Sequence, residues 1–597
     1  MPNCHNKRDL QHPLRLGRLD IISTQINSMA KIPHKSNVDS IEPGGEGTPF
    51  PHWYSPETGI YRSKHPSVQL PADPLLDVVS LIFSHNHSGA ASLVDSRSGF
   101  SISYPEFYSL VKSVAGGLHL IGVSQGDVVL FLLPNSVYFP VLVLSVLSLG
   151  AVAAPMNPLS TSLEIKKQAL DGNCNVRLAF SSVDRVGDLA EFGIPAIGLP
   201  EGTNNLDFPA DSVFFKLIST DPNTAPRPRI RQQDAAAILF SSGTTGSSKG
   251  VILTHANLIA TVKLFVRFEA SQYEGGCRRS RENVYLGVLP MFHVYGLSLF
   301  VMGLLSLGST VVVMRKYDED EMERAVEKYD VTHIPVVPPL LRALTRKAKV
   351  GTRAATVLLK GVKQVSSGAA PVPAACVKDF LQTFPHIDFI QGYGLTESAA
   401  VGTRGFNTAK IHKYSSVGLL APNIEAKVVD WNTFSPLPPK SSGELWLRGP
   451  SIMKGYLNNE EASKRAIDHE GWLHTGDIVS FDEDGYLYVQ DRLKDIIKYK
   501  GFQIGPADLE AVLMSHPDVT DAAVTSEVDE EVGEIPVALV VRGNGSALTE
   551  ANLIDFVANH VAPYKKVRRV YFTTSIPKSS TEKILRKELR KLLPSKM

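Results

Sequence analysis

The sequence has few cysteines, almost no net charge and no internal repeat. Its four cysteines lie far apart along 597 residues, so they form neither a CxxC zinc motif nor a disulfide framework, and we expect reduced thiols. The 61 basic and 60 acidic residues leave a net charge of +1, which gives no sign of a nucleic-acid or membrane partner bound through bulk charge. The chain is too long for one hydrophobic core, so we expect at least two domains.

The sequence also has little that suggests a membrane span. Residues 137–154 read VYFPVLVLSVLSLGAVAA, but prolines interrupt and close this segment, and no basic residues flank it. A buried helix that leads into a buried strand of a parallel sheet would give the same pattern. We favour this core interpretation and predict no membrane span.

The two ends of the chain carry signals of their own. Residues 1–55 are mostly polar, with Pro and Gly throughout, and show no apolar region of a signal peptide, so we predict a poorly ordered extension. The tripeptide Ser595-Lys596-Met597 resembles the address that the peroxisomal import receptor reads. A chance polar tail is the alternative. We predict a peroxisomal protein with that receptor as a partner.

Apolar runs alternate with helical patterns through most of the chain. The apolar runs include 127–133, 309–314 and 389–394, and a helix-like stretch lies at 319–330. Such alternation predicts parallel sheets with helices on their faces. After residue 443 the pattern changes to antiparallel hairpins, with a turn at Asp484-Gly485.

We therefore predict an α/β fold in two parts, with a boundary near Asp491–Lys494. The large N-terminal domain, residues 56–491, contains parallel α/β sheets plus a β-barrel-like part. The small C-terminal domain, residues 492–594, is predicted to be α+β and mobile.

The strongest local signal is a loop that suits phosphate. An apolar strand, Ala236–Phe240, runs into SSGTTGSSKG, in which glycines expose backbone N–H groups, hydroxyls donate hydrogen bonds and a lysine adds charge. Two residues separate the second glycine from the lysine, so this is not a Walker loop, and a merely flexible loop is the alternative. The predicted phosphate ligands are Ser241, Ser242, Gly243, Thr244, Thr245, Gly246 and Lys249.

This loop resembles the signature of the adenylate-forming superfamily, which includes acyl-CoA synthetases, luciferases and peptide-synthetase adenylation domains. Further segments match family motifs in the same order: LPMFHVYGL (289–297), SSGAAP (366–371), QGYGLTES (391–398), GELWLRGP (443–450), GWLHTGDI (471–478), DRLKDIIKYKGFQI (491–504) and PKSSTEKILRKELR (577–590). Plant 4-coumarate:CoA ligases and their peroxisomal ligase-like relatives are the most similar members. The resemblance implies that ATP and Mg²⁺ convert a carboxylic acid into an acyl-adenylate, from which coenzyme A takes the acyl group.

The resemblance assigns the nucleotide site to QGYGLTES. Gln391, Gly392 and Tyr393 are expected at the nucleotide, with the tyrosine stacked on adenine, while Thr396 touches the α-phosphate. Glu397 is expected to hold Mg²⁺, a role that suits one carboxylate combined with phosphate and water ligands. A surface carboxylate is the alternative for this glutamate.

The C-terminal motifs supply the remaining groups for adenylation. By resemblance, Asp477 binds the ribose hydroxyls, Arg492 contacts ribose or phosphate, and Lys494 is the hinge. Lys583 is the expected adenylation catalyst, because its ammonium would bring the carboxylate and the α-phosphate together. A turn aspartate and a solvated lysine are the alternatives for Asp477 and Lys583.

The resemblance places the second step near IKYKGFQ. Lys498 and Gln503 are the expected partners of the thiol and the adenylate. Lys500, Gly501 and Lys316 are expected to line the coenzyme A path, although any exposed lysine after a strand would look like Lys316.

The acyl group is expected among small residues near an aromatic gate. His293 takes the position of that gate, with a satisfied core histidine as the alternative. The other expected acyl contacts are Tyr295, Leu299, Ala369, Gly392 and Ala400. Hydroxycinnamates and fatty or oxylipin acids both remain open as substrates.

Two residues depart from the family pattern. Ser248 replaces a proline in the phosphate loop, and Glu582 replaces a glycine beside Lys583, where its carboxylate is predicted to compete for the ammonium and slow adenylation. A nucleotide- and acyl-binding homologue with impaired catalysis is therefore the alternative function. A luciferase-like or carrier-loading enzyme is a further rival, although we expect no carrier domain after Met597.

Overall fold

The fold is known from a computed structural model, which describes residues 51–593 apart from several internal segments. Those segments are 86, 88–90, 171–173, 201–208, 210, 242–248, 274–282, 351–358, 371, 409–410, 500–501, 530–532, 562 and 580–582. Several predicted site positions lie outside the described residues: Ser242, Gly243, Thr244, Thr245, Gly246, Lys500 and Gly501, together with Ser248, Glu582 and the tripeptide 595–597.

Two mainly parallel sheets form the centre of the large lobe. The nine-stranded sheet has the order β17-β16-β15-β14-β13-β11-β12-β3-β4. It is antiparallel only towards its two ends, at β4 and at the pair β16 and β17. Its strands are β3 Ala91–Asp95, β4 Ser101–Ser103, β11 Val284–Gly287, β12 Thr310–Val313, β13 His333–Val336, β14 Gln364–Ser367, β15 Asp388–Tyr393, β16 Thr403–Arg404 and β17 Leu419–Leu420. This sheet confirms the predicted alternation of strands and helices.

The seven-stranded sheet has the order β20-β10-β9-β6-β5-β7-β8. Its strands are β5 Val128–Leu132, β6 Val152–Pro155, β7 Val176–Ser182, β8 Ala196–Leu199, β9 Ala235–Ser241, β10 Lys249–Thr254 and β20 Gly455–Tyr456. Strands β9 and β10 are antiparallel and pair Ser241 with Lys249, so the phosphate-loop motif connects two neighbouring strands.

An antiparallel six-stranded sheet stands where a barrel-like part was predicted. Its order is β1-β2-β18-β19-β21-β22, an open row among the described residues. Its strands are β1 Tyr54–Ser55, β2 Ile60–Arg62, β18 Glu425–Val429, β19 Gly443–Arg448, β21 Leu473–Phe481 and β22 Leu487–Arg492. The predicted hairpin turn lies between β21 and β22, where Gly485 has a φ of 79°. The predicted extension ended at residue 55, but Trp53 is buried and β1 is paired, so residues 51–55 belong to the folded chain.

The small lobe has a five-stranded sheet and its own apolar cluster. Its strands are β23 Ile497–Tyr499, β24 Phe502–Ile504, β25 Val519–Asp529, β26 Gly533–Arg542 and β27 Arg569–Phe572. The cluster includes Ile497, Leu509, Val524 and Leu553 and is separate from the large-lobe core. Because buried apolar surface is what holds each lobe together, the linker between β22 and β23 joins two separately packed bodies.

Helices cover the faces of these sheets. The described α-helices are Val78–Phe83, Tyr104–Leu120, Tyr138–Ser148, Ser162–Ile165, Val186–Ala190, Val213–Ile218, His255–Thr261, Phe268–Tyr273, Val294–Gly296, Leu304–Leu307, Glu319–Lys328, Pro338–Val350, Ala374–Thr383, Glu460–Ala466, Pro506–Leu513, Glu550–Ala558 and Arg586–Lys591. The described π-helical segments are Lys166–Leu170, Val262–Arg267 and Leu297–Gly303, and the 3₁₀ turns are Val183–Arg185, Pro222–Thr224, Leu359–Gly361, Thr396–Ser398, Leu493–Asp495 and Pro563–Lys565.

The apolar segment 137–154 forms the predicted buried helix and strand. Helix Tyr138–Ser148 and strand β6 are both buried in the large lobe. In the part of the chain that the structure describes, no helix combines the length and the apolarity that a bilayer crossing requires.

Candidate active site

A cleft of about 1010 Å³ lies between the large lobe and the small lobe. Large-lobe residues from β9, β10 and the turn after β15 line one side, and linker and small-lobe residues line the other. The predicted site residues that line it are Ser241, Lys249, His293, Thr396, Glu397, Arg492, Lys494 and Lys583. Residues separated by more than 300 positions in sequence therefore meet in one cavity.

The described ends of the phosphate-loop motif open into this cleft. Ser241 ends β9 and Lys249 begins β10. The Lys249 ammonium lies 4.9 Å from the ring centroid of Tyr456, a cation–π contact that holds it at the cleft wall. A hydroxyl and a positive charge thus flank the loop, as a phosphate ligand requires.

Glu397 lies in the 3₁₀ turn Thr396–Ser398 that follows β15. Its Oε1 accepts hydrogen bonds from Ser241 Oγ at 3.1 Å and from the Tyr456 hydroxyl at 3.0 Å. Among the described residues, Oε2 receives no hydrogen bond. A carboxylate fixed through one oxygen and open at the other fits Mg²⁺, which takes one or two carboxylates and fills its shell with phosphate and water.

Asp477 holds a tyrosine and an arginine in place. It lies within β21, where it is the register partner of Arg492 on β22. Its Oδ2 accepts a 2.7 Å hydrogen bond from the Tyr393 hydroxyl, and Oδ1 lies 3.1 Å from Arg492 Nε. The carboxylate raises the pKa of Arg492, while burial and the same carboxylate raise the pKa of Tyr393. The site therefore presents a fixed carboxylate, a neutral phenol and a permanent cation.

Lys583 extends from the small lobe into the cleft. Its backbone is tied to Ser579, whose N–H donates to the Lys583 carbonyl at 2.8 Å and whose Oγ accepts from the Lys583 N–H at 3.1 Å. Burial lowers the pKa of Lys583 to about 8, and Arg492 acts in the same direction, while Asp477 and Glu397 oppose both effects. Such a lysine is a cation that changes charge near physiological pH.

His293 lies at the start of helix Val294–Gly296 and lines the same cleft. Its Nδ1 accepts a long hydrogen bond, 3.4 Å, from the N–H of Tyr295. Burial lowers the pKa of His293 to about 3, and the Lys583 charge adds to that effect. The imidazole is therefore neutral and adds no repulsion for a nearby ammonium.

The predicted acyl residues are only partly brought together. A Cβ atom on Gly368 would lie 3.1 Å from the Tyr295 ring, and a Cβ on Gly392 would lie 3.1 Å from Arg404, so each glycine allows a close approach that a side chain would hinder. Ala369 and Ala400 have φ values of 70° and 66°. Leu299 is buried in the large-lobe core.

The residues predicted for the second step are spread over both lobes. Lys498 and Gln503 are register partners on the hairpin β23–β24; their side chains are outside the description. Lys316 is exposed shortly after β12, away from the lining of the cleft. Lys494 lies in the 3₁₀ turn Leu493–Asp495, and burial lowers its pKa.

The structure adds two contacts that the sequence interpretation did not include. Tyr456, which positions both Lys249 and Glu397, was not singled out, although it follows a glycine soon after the GELWLRGP motif. Gln391 is predicted at the nucleotide, and its side-chain amide donates to the carbonyl of Tyr414 at 2.7 Å, which ties the residue to the neighbouring loop. Neither contact follows from local sequence, because each partner is distant along the chain.

Comparison with known proteins places the chain in a family. The AMP-binding enzyme family matches residues 83–457, and the AMP-binding enzyme C-terminal domain matches residues 508–583. The chain is 56% identical to 4-coumarate–CoA ligase-like 6 of Arabidopsis thaliana, over 91% of this chain and 95% of that protein. It is 42% identical to peroxisomal OPC-8:0-CoA ligase 1 of the same plant, over 90% of this chain and 96% of that protein.

A solved structure supports the same fold. The crystal structure of ATP-bound MatB from Rhodopseudomonas palustris matches with a TM-score of 0.77 at 24% identity, over 86% of this chain and 98% of that one. At this identity the likeness concerns the fold alone. The family match and the identity with these relatives show that the chain belongs to the AMP-binding enzyme family and is an ATP-dependent acyl-CoA ligase.

Proposed function

We propose that this ligase activates an acid with an aromatic ring or a bent chain, in the manner of 4-coumarate:CoA ligase-like enzymes, and that it works in the peroxisome. ATP, Mg²⁺ and coenzyme A take part in the reaction. The observation that carries the proposal is the meeting of Lys583 with Glu397, Asp477 and Arg492 around one cleft. These groups supply charges of both signs where a nucleotide and a carboxylate must come together.

In the first step a carboxylate oxygen attacks the α-phosphorus of ATP, and the bond to pyrophosphate breaks. Both reactants are anions, so their approach requires compensating positive charge. The Lys583 ammonium serves this purpose from the small lobe, and Lys249 with Ser241 binds the phosphates from the large lobe. Mg²⁺, when bound, neutralises phosphate oxygens, and Glu397 is the residue that would hold it.

The nucleoside is oriented by groups that are already fixed. Asp477 has acceptor oxygens for the ribose hydroxyls, and its contacts with Tyr393 and Arg492 prevent it from turning away. Tyr393 is assigned to the adenine ring. Because these side chains are held before the substrate arrives, binding costs little additional ordering.

In the second step the sulfur of coenzyme A attacks the acyl carbon, and the bond to AMP breaks. We assign Lys498 and Gln503, paired across β23–β24, to this step, with Lys500, Gly501 and Lys316 along the coenzyme path. Lys494 is the hinge: rotation of the small lobe about it withdraws Lys583 from the cleft and brings this hairpin into its place.

The substrate class and location are supported by the relatives. One is named for 4-coumarate and another for OPC-8:0, so the acid proposed here is a hydroxycinnamate or a fatty or oxylipin acid. The second is named as peroxisomal, and the tripeptide Ser595-Lys596-Met597 supports import through the peroxisomal receptor.

The test is pyrophosphate release from ATP over a panel of hydroxycinnamic, fatty and oxylipin acids, with and without coenzyme A. Release without coenzyme A and thioester formation with it are expected for at least one class. ATP binding by calorimetry without release for any acid would instead favour a catalytically impaired homologue. In that case, pyrophosphate release by the Glu582→Gly variant would show that the carboxylate next to Lys583 in sequence causes the loss of catalysis.

A further inference from the structure

A buried ion pair lies beside the residues assigned to the acyl group. Arg404 faces Glu269 through two contacts, 2.7 Å from Nε to Oε2 and 3.0 Å from Nη2 to Oε1. The two side chains are 15% and 17% exposed. Burial acts to lower the pKa of Arg404, but Glu269 raises it above its ordinary value, so the guanidinium stays charged.

The pair is close to three of the assigned acyl residues. Arg404 on β16 is the register partner of Gly392, and a Cβ on that glycine would lie 3.1 Å from Arg404 Nη1. The Tyr295 hydroxyl lies within reach of the Arg404 guanidinium, and no described residue accepts a hydrogen bond from this buried O–H. Ala400 lines the same cavity as Arg404 and Glu269.

That cavity combines apolar walls with a polar end. Phe265 and Phe268, on the helical segment that carries Glu269, form part of the wall, and the Arg404 guanidinium lies 5.1 Å from the ring centroid of Phe265. The cavity measures about 30 Å³, which is room for a water-sized group. An acyl group that is apolar along its length and carries one polar group on its far part would match both the apolar walls and the polar end.

Charge decides which polar group fits. Glu269 neutralises Arg404, so a second carboxylate would lose its hydration without gaining a net attraction. A carbonyl or hydroxyl oxygen could accept from Nη1 and the Tyr295 hydroxyl, whereas a hydrocarbon end leaves the phenol O–H without an acceptor. We propose that Arg404, Glu269 and Tyr295 form the polar end of the acyl pocket and select acids with a neutral oxygen on the far part of the acyl group. This inference rests on the proposed function.

The first experiment compares three acids of the same chain length: a plain fatty acid, its oxo acid with the carbonyl near the far end, and the dicarboxylic acid. The comparison is repeated at several chain lengths. The readout is kcat/KM for pyrophosphate release. We expect the oxo acid to exceed both others by about tenfold or more, as expected for one hydrogen bond from a charged donor. Equal use of the plain and the oxo acid would overturn the inference.

The second experiment changes the pocket. The double variant Arg404→Met with Glu269→Leu removes both charges together, so no lone buried charge is left, and the oxo-to-plain ratio should fall about tenfold. Tyr295→Phe keeps the ring and should lower the same ratio several-fold. The control, Arg448→Met with Glu425→Leu, removes an ion pair of 2.6 Å on the six-stranded sheet and should leave the ratio unchanged.

The outcomes separate the two proposals. Absence of pyrophosphate release from wild type with every acid contradicts the proposed function. Release with an unchanged ratio in the double variant contradicts only the polar end of the pocket. If the double variant does not fold, an unchanged oxo-to-plain ratio in Tyr295→Phe also contradicts the polar end of the pocket. This ratio is measured within one variant, so it does not depend on the amount of folded enzyme.

Discussion

At the residue scale, the cleft interleaves cations and carboxylates. Arg492 and Lys494 lower the pKa of Lys583 after the larger effect of burial, while Asp477 and Glu397 oppose them. A bound triphosphate would add negative charge to the same space and favour the ammonium. The free site is therefore poised so that its own substrate stabilises the charged form of the lysine.

Replacement of that lysine should remove most of the adenylation rate. For Lys583→Ala we expect kcat/KM for pyrophosphate release to fall about 10²–10³-fold, because compensating charge at the α-phosphate is lost. Lys587→Ala, an exposed lysine on helix Arg586–Lys591, is the matched control and should keep wild-type activity. Equal losses in the two variants would contradict the assignment.

The same lysine predicts a pH dependence. With a pKa of about 8 in the free enzyme, the ammonium is present below pH 8 and is lost above it. We expect kcat/KM for pyrophosphate release to fall about tenfold per pH unit on the alkaline side. Lys583→Arg, whose guanidinium keeps its proton, should remove that limb even if its rate is lower. A wild-type profile that stays flat well above pH 8 is the contrary result.

Glu397 predicts the metal dependence. Glu397→Gln keeps the oxygen that accepts from Ser241 and Tyr456 but removes the charge, so the Mg²⁺ concentration for half-maximal rate should rise about tenfold or more. Glu327→Gln, on the exposed side of helix Glu319–Lys328, is the control. An unchanged Mg²⁺ requirement in the first variant would mean that the metal lies elsewhere.

At the scale of elements, the linker is tied to the small lobe. Asp491 Oδ2 accepts from the N–H of Ala507, at the start of helix Pro506–Leu513, and a Cβ on Gly505 would lie 2.8 Å from that oxygen. Arg586 further lies 3.3 Å from Asp495. Residues 491 and 495 therefore bracket the turn that contains Lys494, so the proposed rotation would be confined to few backbone bonds.

Stiffening of this turn should separate the two reactions. Lys494 lies in a 3₁₀ turn, whose φ near −60° proline can adopt, but proline fixes that angle. For Lys494→Pro we expect pyrophosphate release within a few-fold of wild type and transfer from preformed acyl-adenylate to coenzyme A at least tenfold slower. Single-turnover measurements of each step provide the test. Equal slowing of both would argue against a hinge here.

The buried strands were the most predictable elements. The apolar runs at 127–133, 309–314 and 389–394 became β5, β12 and β15, because strands covered on both faces are apolar along their length. The C-terminal helix was less predictable. The amphipathic pattern of KILRKELRKLL covers residues 583–593, whereas the helix spans only Arg586–Lys591. Local periodicity does not show where tertiary packing ends a helix.

The candidate site was predictable only where its residues lie in compact motifs. The motifs placed Lys583, Glu397 and Asp477, and the structure brings all three to one region. The Arg404–Glu269 pair joins residues 135 positions apart, beside the π-helical segment Val262–Arg267 that shifts the helical register. No local pattern marks such a contact, because it is created by the docking of a helix against a sheet edge.

At the scale of the whole molecule, the C-terminal tripeptide predicts where the enzyme works. A fluorescent protein fused to the N-terminus should label peroxisomes in cells, and removal of residues 595–597 should make the label diffuse. Met597→Leu, which gives the commoner form of the address, is the control and should keep the peroxisomal label. Peroxisomal labelling that survives the deletion would show that another segment directs import.

Both lobes contribute walls to the cleft of about 1010 Å³, so neither lobe contains it alone. If the small lobe rotates about Lys494 as proposed, withdrawal of Lys583 would also remove one wall of the cleft and open an exit for pyrophosphate after the first step. Release of pyrophosphate and admission of the thiol would then follow from one and the same movement of the small lobe.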